Sequence, residues 1–303
     1  SLLLAIIAAF PVDDASSSPV VEPSAKLEKL WGEGEFTEGG ALAADGAILF
    51  SDIGNRIMRF DPTTGKTSVF REPSGRANGL IFDPRGRLIV AEGANTGGGR
   101  RISITEPDGK VRTLADRWEG KRFNSPNDVA VDSKGRVYFS DPRYVGDEPR
   151  ELDFEAVFRV DPDGAVTRLE TSARKPNGVV VSPDDKTLYI ADNGSARRVL
   201  LALDLDAAGM TSNPRVIHDF GNGRGIDGMT VATDGRIVAT AGTGDRAGVW
   251  VFTPEGKIEG VIPTPDPPAN LEFGGPDNKT LYIMAGKSLY RIPTTMTGHR
   301  LSN

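Results

Sequence analysis

The stretch PNGVVVSPDDKTLYIAD, residues 176–192, decides the fold. Its apolar residues form two runs of strand length, VVV and LYIA, parted by a Ser-Pro-Asp-Asp turn. Pro presets a turn dihedral and Asp tolerates the left-handed conformation, so the segment predicts an antiparallel hairpin. The same plan recurs in TEGGALAADGAILFSDI (37–53), ANGLIFDPRGRLIVAEG (77–93), PNDVAVDSKGRVYFSDP (126–142), IDGMTVATDGRIVATAG (226–242) and ANLEFGGPDNKTLYIMAG (269–286). Each shows a polar residue, a short apolar run, a turn rich in Asp, Gly, Pro or Lys, and a second apolar run.

A further hairpin follows each of the first five, as in NRIMRFDPTTGKTSVF (55–70), RRISITEPDGKVRTL (100–114) and EAVFRVDPDGAVTRLE (155–170). The sixth, KSLYRIPTTMTGHR (287–300), stops after one strand. The repeat is therefore four antiparallel strands over roughly 40–50 residues, the unit of a β-propeller blade. Six repeats predict an all-β, six-bladed propeller over residues 25–303, with residues 1–24 as a leader and linker. The segment AKLEKLWGE (25–33) is expected to supply the missing fourth strand of the last blade, closing the ring and covering an open edge.

Bulk properties narrow the functions. With 303 residues and 38% hydrophobic residues the chain has an ample core. Its net charge of -6, without a Lys/Arg cluster, argues against nucleic-acid binding. There is no Cys, and the only histidines are His218 and His299, so thiolate chemistry and multi-His metal sites are excluded. Residues 2–10 are nearly all apolar and precede a Ser/Pro-rich linker, which resembles a secretory signal peptide. The expectation is a periplasmic or secreted protein, with no membrane insertion of the mature domain; if residues 2–10 are not a signal, it is cytoplasmic.

In a propeller the first strand of every blade lines the central channel. The residues opening those strands are Glu38, Asn78, Asn127, Asn177, Asp227 and Asn270. Taken singly, each could be a local turn or strand-start residue bonding its own backbone. Six acids or amides on one ring call for more. Carboxylates converging in a confined channel repel and lose water, at a cost that a cation relieves. The donors are all oxygens, which suits one divalent cation, Ca2+ foremost, with Mg2+ or Mn2+ possible and Zn2+ less favoured. Spacing alone leaves open which of the six would bind it.

These segments, with KRFNSPNDVAVDSKGRVYFSDPRY (121–144) and RANGLIFDPRGRLIVAEGANTGGGRR (76–101), resemble the gluconolactonase/senescence-marker-protein (regucalcin-like) family of six-bladed propellers, from about residue 30 to 292. The resemblance implies a metal site of Glu38 in TEGG, Asn127 in SPND, Asn177 in KPNG and Asp227 in IDGM, leaving out Asn78 and Asn270. It also implies Asp227 as the catalytic base. Gly40 departs from the family, which has Pro there. Gly178 reads as the residue that lets the backbone bend beside Asn177.

The expected activity is a metal-dependent hydrolase opening a small sugar lactone, with the cation polarising the carbonyl and activating water. Asn78, Arg122 and Asn124 are expected to bind substrate hydroxyls. The alternatives are a phosphotriesterase-type hydrolase on the same scaffold, or a non-enzymatic calcium- or protein-binding propeller. A nucleophile elbow G-x-S-x-G is absent. His218, in VIHDF, is expected to be structural.

Overall fold

A computed structural model describes residues 20–301. The apolar stretch 2–10, on which the export expectation rests, lies outside the described residues. Six four-stranded antiparallel sheets follow one another along the chain. Blade one comprises Thr37–Leu42, Ile48–Asp52, Arg56–Asp61 and Lys66–Arg71. Blade two comprises Ala77–Phe82, Leu88–Glu92, Arg101–Thr105 and Val111–Ala115. Blade three is built from Val129–Val131, Val137–Asp141, Ala156–Val160 and Val166–Arg168. Blade four is built from Pro176–Val181, Thr187–Asp192, Val199–Leu205 and Thr211–Asp219. Blade five holds Met229–Val231, Ile237–Ala241, Gly248–Phe252 and Ile258–Pro263.

Blade six closes the ring. Its own strands are Pro268–Gly274, Thr280–Ala285 and Ser288–Pro293, and its outermost strand is Glu28–Trp31, antiparallel to Ser288–Pro293. The strand expected from residues 25–33 is therefore the closing strand, and it leaves the ring without a free seam. Val20 reaches further round, buried against Val249, Val251 and Ile292 of blades five and six.

The turns follow the predicted chemistry. In the hairpin 176–192 the Ser182 hydroxyl donates to Asp184 Oδ1 at 2.7 Å, and Asp185 takes a positive φ of 58°. Asp185 occupies the left-handed position that Gly86 and Gly135 fill in other blades, which Asp tolerates better than most residues. Second strands are buried throughout, as in Ile48–Asp52 and Ile237–Ala241, because adjacent blades pack on both of their faces. Outermost strands are polar and exposed, as in Lys66–Arg71. No helix among the described residues is long and apolar enough to cross a membrane.

Candidate active site and metal centre

The first strands converge at their leading ends on a cavity of about 340 Å³. Glu38, Asn78, Asn127, Asn177 and Asp227 all line it, so five of the six ring residues, from five different blades, share one space. The sixth, Asn270, stands behind them: its Nδ2 donates to Glu38 Oε2 at 3.1 Å. Glu38 Oε2 also accepts from the Gly39 N–H at 3.0 Å.

Across the cavity, Asn177 Nδ2 donates to Asp227 Oδ1 at 2.8 Å, and Arg224 Nη2 pairs with Asp227 Oδ2 at 2.6 Å. Burial and then the negative charge of Asp227 push the Glu38 carboxyl well above its ordinary range. Burial raises Asp227 as well, opposed by Arg224 and the Asn177 amide. One guanidinium thus faces three converging carboxyl groups, since the charge of Asp128 also raises Glu38 and that of Asp227 raises Asp128. Among the described residues the side-chain amides of Asn78 and Asn127 make no hydrogen bond, which leaves both able to meet a ligand in the cavity they line.

The donor set fits a hard divalent cation: two carboxylates, amide oxygens, and no sulfur or imidazole. No group of three or more His, Cys, Asp or Glu placed to hold a metal ion occurs among the described residues, so such a site would have to draw on the amides.

The glycines beside the ring residues lie where the strand register is interrupted and also carry a contact between blades. Gly178 lies within its strand, and its N–H donates to the Asp227 carbonyl of the next blade at 2.8 Å. A Cβ on Gly178 would stand 2.4 Å from that oxygen. The Gly79 N–H bonds the Asn127 carbonyl at 2.7 Å in the same way. The Asn-Gly pair is therefore also a contact between neighbouring first strands, made where the pairing of Pro176–Val181 with Thr187–Asp192 is interrupted between Pro176 and Val179, in keeping with the bend expected at Gly178. At Gly40 a Cβ would meet Met284 Cε at 2.6 Å.

The rim is apolar. Phe36, Tyr144 and Val145 are exposed large hydrophobic residues, and all three line the cavity with Ile53 and Ala94. Tyr144 is held by Lys175, whose Nζ lies 4.6 Å from the ring centroid. Arg76 also lines the cavity, but its Nε and Nη1 are engaged by the carbonyls of Thr96 and Ile53.

Arg122 and Asn124 are not among the lining residues. Arg122 Nη2 donates to the Gly99 carbonyl at 2.8 Å. Asn124 is fully buried, its Nδ2 donating to the Phe154 carbonyl at 2.7 Å and its Oδ1 accepting from Arg150. His218 sits on an outermost strand, 4.7 Å from the ring of Phe220 and 5.0 Å from that of Phe252.

Arg224, Tyr144 and Val145 are parts of the site that the repeat did not point to. Arg224 precedes Asp227 by three residues, outside the aligned segment. Tyr144 and Val145 occupy the connection 142–155 between the second and third strands of blade three, and the length of that connection was the available signal.

A closed six-bladed ring with carboxyl and amide side chains gathered at one open mouth defines a propeller with a polar small-molecule site. The chain belongs to the SMP-30/Gluconolactonase/LRE-like region family, which matches residues 31–287. It is 30% identical over 308 residues to the gluconolactonase of Zymomonas mobilis subsp. mobilis, across 92% of this chain and 84% of that protein. It is 31% identical over 246 residues to the regucalcin of Xenopus laevis, across 79% of each chain. A solved gluconolactonase from Xanthomonas campestris superposes with a TM-score of 0.82 at 28% identity, covering 92% of this chain and 91% of that one.

Proposed function

We propose that this chain is a hydrolase that opens sugar lactones at the leading mouth of its channel, using one divalent cation, Ca2+ foremost, held by Glu38, Asn127, Asn177 and Asp227. The observation that carries the reading is the meeting of these four side chains on one cavity. The gluconolactonase of Zymomonas mobilis subsp. mobilis and the pentonolactonase XacC of Haloferax volcanii, 28% identical over 237 residues, support the substrate class. When bound, the cation would polarise the lactone carbonyl and lower the pKa of a bound water.

Asp227 is the proposed general base. Burial makes its carboxyl more ready to hold a proton than an exposed one. Arg224 fixes Oδ2, so Oδ1, beside the Asn177 amide, is the oxygen that takes the proton of the attacking water. The Asn78 amide, which lines the cavity outside the proposed ligand set, can orient a substrate hydroxyl. Arg122 and Asn124, expected to bind substrate because they shortly precede Asn127, would act from behind the cavity wall. The collar of Phe36, Tyr144 and Val145 shields the reacting carbonyl from bulk water.

The test is to dialyse the protein against chelator and measure hydrolysis of gluconolactone and of an organophosphate ester, with and without added Ca2+, Mg2+, Mn2+ or Zn2+. Lactone turnover that is lost on chelation and restored by Ca2+ is expected. Undiminished turnover in chelator would overturn the cation. Turnover of the phosphate ester alone would favour a phosphotriesterase, and turnover of neither would favour a binding propeller.

A further inference from the structure

Three buried carboxylates stand in the same relation to three of the proposed ligands. Asp52, Asp141 and Asp192 each end the second strand of their blade, and each is 0% exposed. Asp52 Oδ1 accepts from the N–H groups of Glu35 and Phe36 at 2.9 and 3.2 Å. Asp141 accepts from Asn124 and Ser125, each at 2.7 Å. Asp192 Oδ1 accepts from Arg174 and Lys175 at 3.1 and 2.9 Å. In every case the two N–H groups belong to the residues three and two positions before Glu38, Asn127 or Asn177.

The other blades lack this clamp. At the matching strand end, blade two has Glu92, which is taken up by Arg71, Arg101 and Ser103. Blades five and six have Ala241 and Ala285. The clamp therefore follows the proposed ligands and not the propeller repeat, since Asn78 and Asn270 sit on the same ring without it. The fourth proposed ligand, Asp227, is fixed directly by Arg224.

We infer that Asp52, Asp141 and Asp192 are positioning residues that aim Glu38, Asn127 and Asn177 at the cation, an inference that rests on the cation reading above. A buried carboxylate accepting two backbone N–H groups makes charge-assisted bonds that hold two successive peptide planes. Those planes lead into the ligand residue and set where its Cβ points. Partners one step behind a metal's ligands are commonly worth about 10- to 100-fold in metal affinity.

The experiment is calorimetric titration of Ca2+ into chelator-treated protein, with circular dichroism and Tm followed in parallel. Asp192→Ala removes the acceptor and is expected to weaken Ca2+ binding by at least about tenfold. Asp192→Asn keeps an acceptor at Oδ1 but loses the ion pair of Oδ2 with Arg197 Nε at 3.6 Å, so it is expected to recover part of the affinity lost in Asp192→Ala. Asp141 uses both oxygens, so Asp141→Asn turns an amide donor toward one N–H and should lose affinity; it carries the test if Asp192→Ala does not fold.

Glu92→Gln is the control, a buried carboxylate at the same strand end with no clamped ligand. It is expected to lower Tm with Ca2+ affinity unchanged. Wild-type affinity in Asp192→Ala and Asp141→Asn, or an equal loss in Glu92→Gln, would overturn the inference while leaving the cation reading intact. A wild-type protein that binds no divalent cation would instead remove the cation reading, and the inference with it.

Discussion

The two mouths of the channel are built from opposite ends of the same six strands, and they treat charge in opposite ways. The leading ends present Glu38, Asn78, Asn127, Asn177 and Asp227 to the smaller cavity. The trailing ends present Leu42, Phe82, Val131, Val180 and Val231 to a cavity of about 680 Å³, with Glu272 among the carboxylates there. At the trailing mouth the chain supplies its own cover. The His299 N–H bonds the Val231 carbonyl at 2.9 Å, Arg300 bonds Asn278 Oδ1 at 2.9 Å, and the Arg300 charge stabilises the ionised Glu272. At the leading mouth, among the described residues, Arg224 is the one cationic side chain paired with the converging carboxyl groups of Glu38, Asp128 and Asp227, and the cavity stays open. A partly buried carboxyl standing alone, such as Glu272, can stay neutral and is compatible with structure alone; converging ones beside amides that line the same cavity make a site for an outside cation.

That contrast breaks if carboxylates at both mouths matter equally to turnover. Asp227→Asn is expected to lower kcat/KM for gluconolactone by about a thousandfold, the usual worth of a positioned general base. Glu272→Gln at the opposite mouth should leave kcat/KM within about twofold, as for a group that touches neither substrate nor base. Comparable losses in both variants would mean that the contrast describes folding and not function. Next in size come Asn127→Ala and Asn177→Ala, each expected to weaken Ca2+ binding by at least about tenfold in a calorimetric titration. Unchanged affinity in either one removes that residue from the ligand set.

The leading mouth was more legible in sequence than its surroundings, for a physical reason. A repeat of two short apolar runs around a turn fixes strand order, and strand order fixes which residue of each blade meets the channel. All six of Glu38, Asn78, Asn127, Asn177, Asp227 and Asn270 could thus be placed on one ring from periodicity, the choice of four among them came from the family resemblance, and the lone strand Glu28–Trp31 could be assigned to the last blade by counting. Whatever depends on a side chain crossing between elements was not legible. Tyr144 and Val145 reach the rim from a connection outside the repeat, and Arg224 reaches Asp227 from a loop. Asn124, expected at the substrate, lies three residues before Asn127 but is buried, its N–H donating to Asp141 and its amide to the Phe154 carbonyl.

The smaller effects sharpen the comparison through pH and through the wall of the site. Burial lifts the Glu272 carboxyl to about 7. A carboxyl raised by folding is protonated in the native state while the unfolded chain is already ionised. Its share of stability is therefore full below the unfolded value and is lost as pH rises through about 7. Glu272→Gln, which is neutral at every pH, should match wild type in chemical denaturation at pH 4.5. At pH 8 it should exceed wild type by about 2 kcal/mol, on ~1.4 kcal/mol per pK unit discounted for partial exposure. A pH-independent difference would mean that Arg300 compensates the ionised form in full.

The smallest effect is expected at Arg122, whose guanidinium bonds the Gly99 carbonyl behind the cavity wall. Arg122→Ala should change KM for gluconolactone by less than about threefold, since one hydrogen bond to a neighbouring loop is worth about 1 kcal/mol and is only partly transmitted to the wall. A KM rise beyond tenfold with kcat unchanged would mean that Arg122 swings into the cavity and binds substrate directly. The wall of the leading mouth would then move on binding, and the contrast between an open mouth and a covered one would belong to the free protein alone.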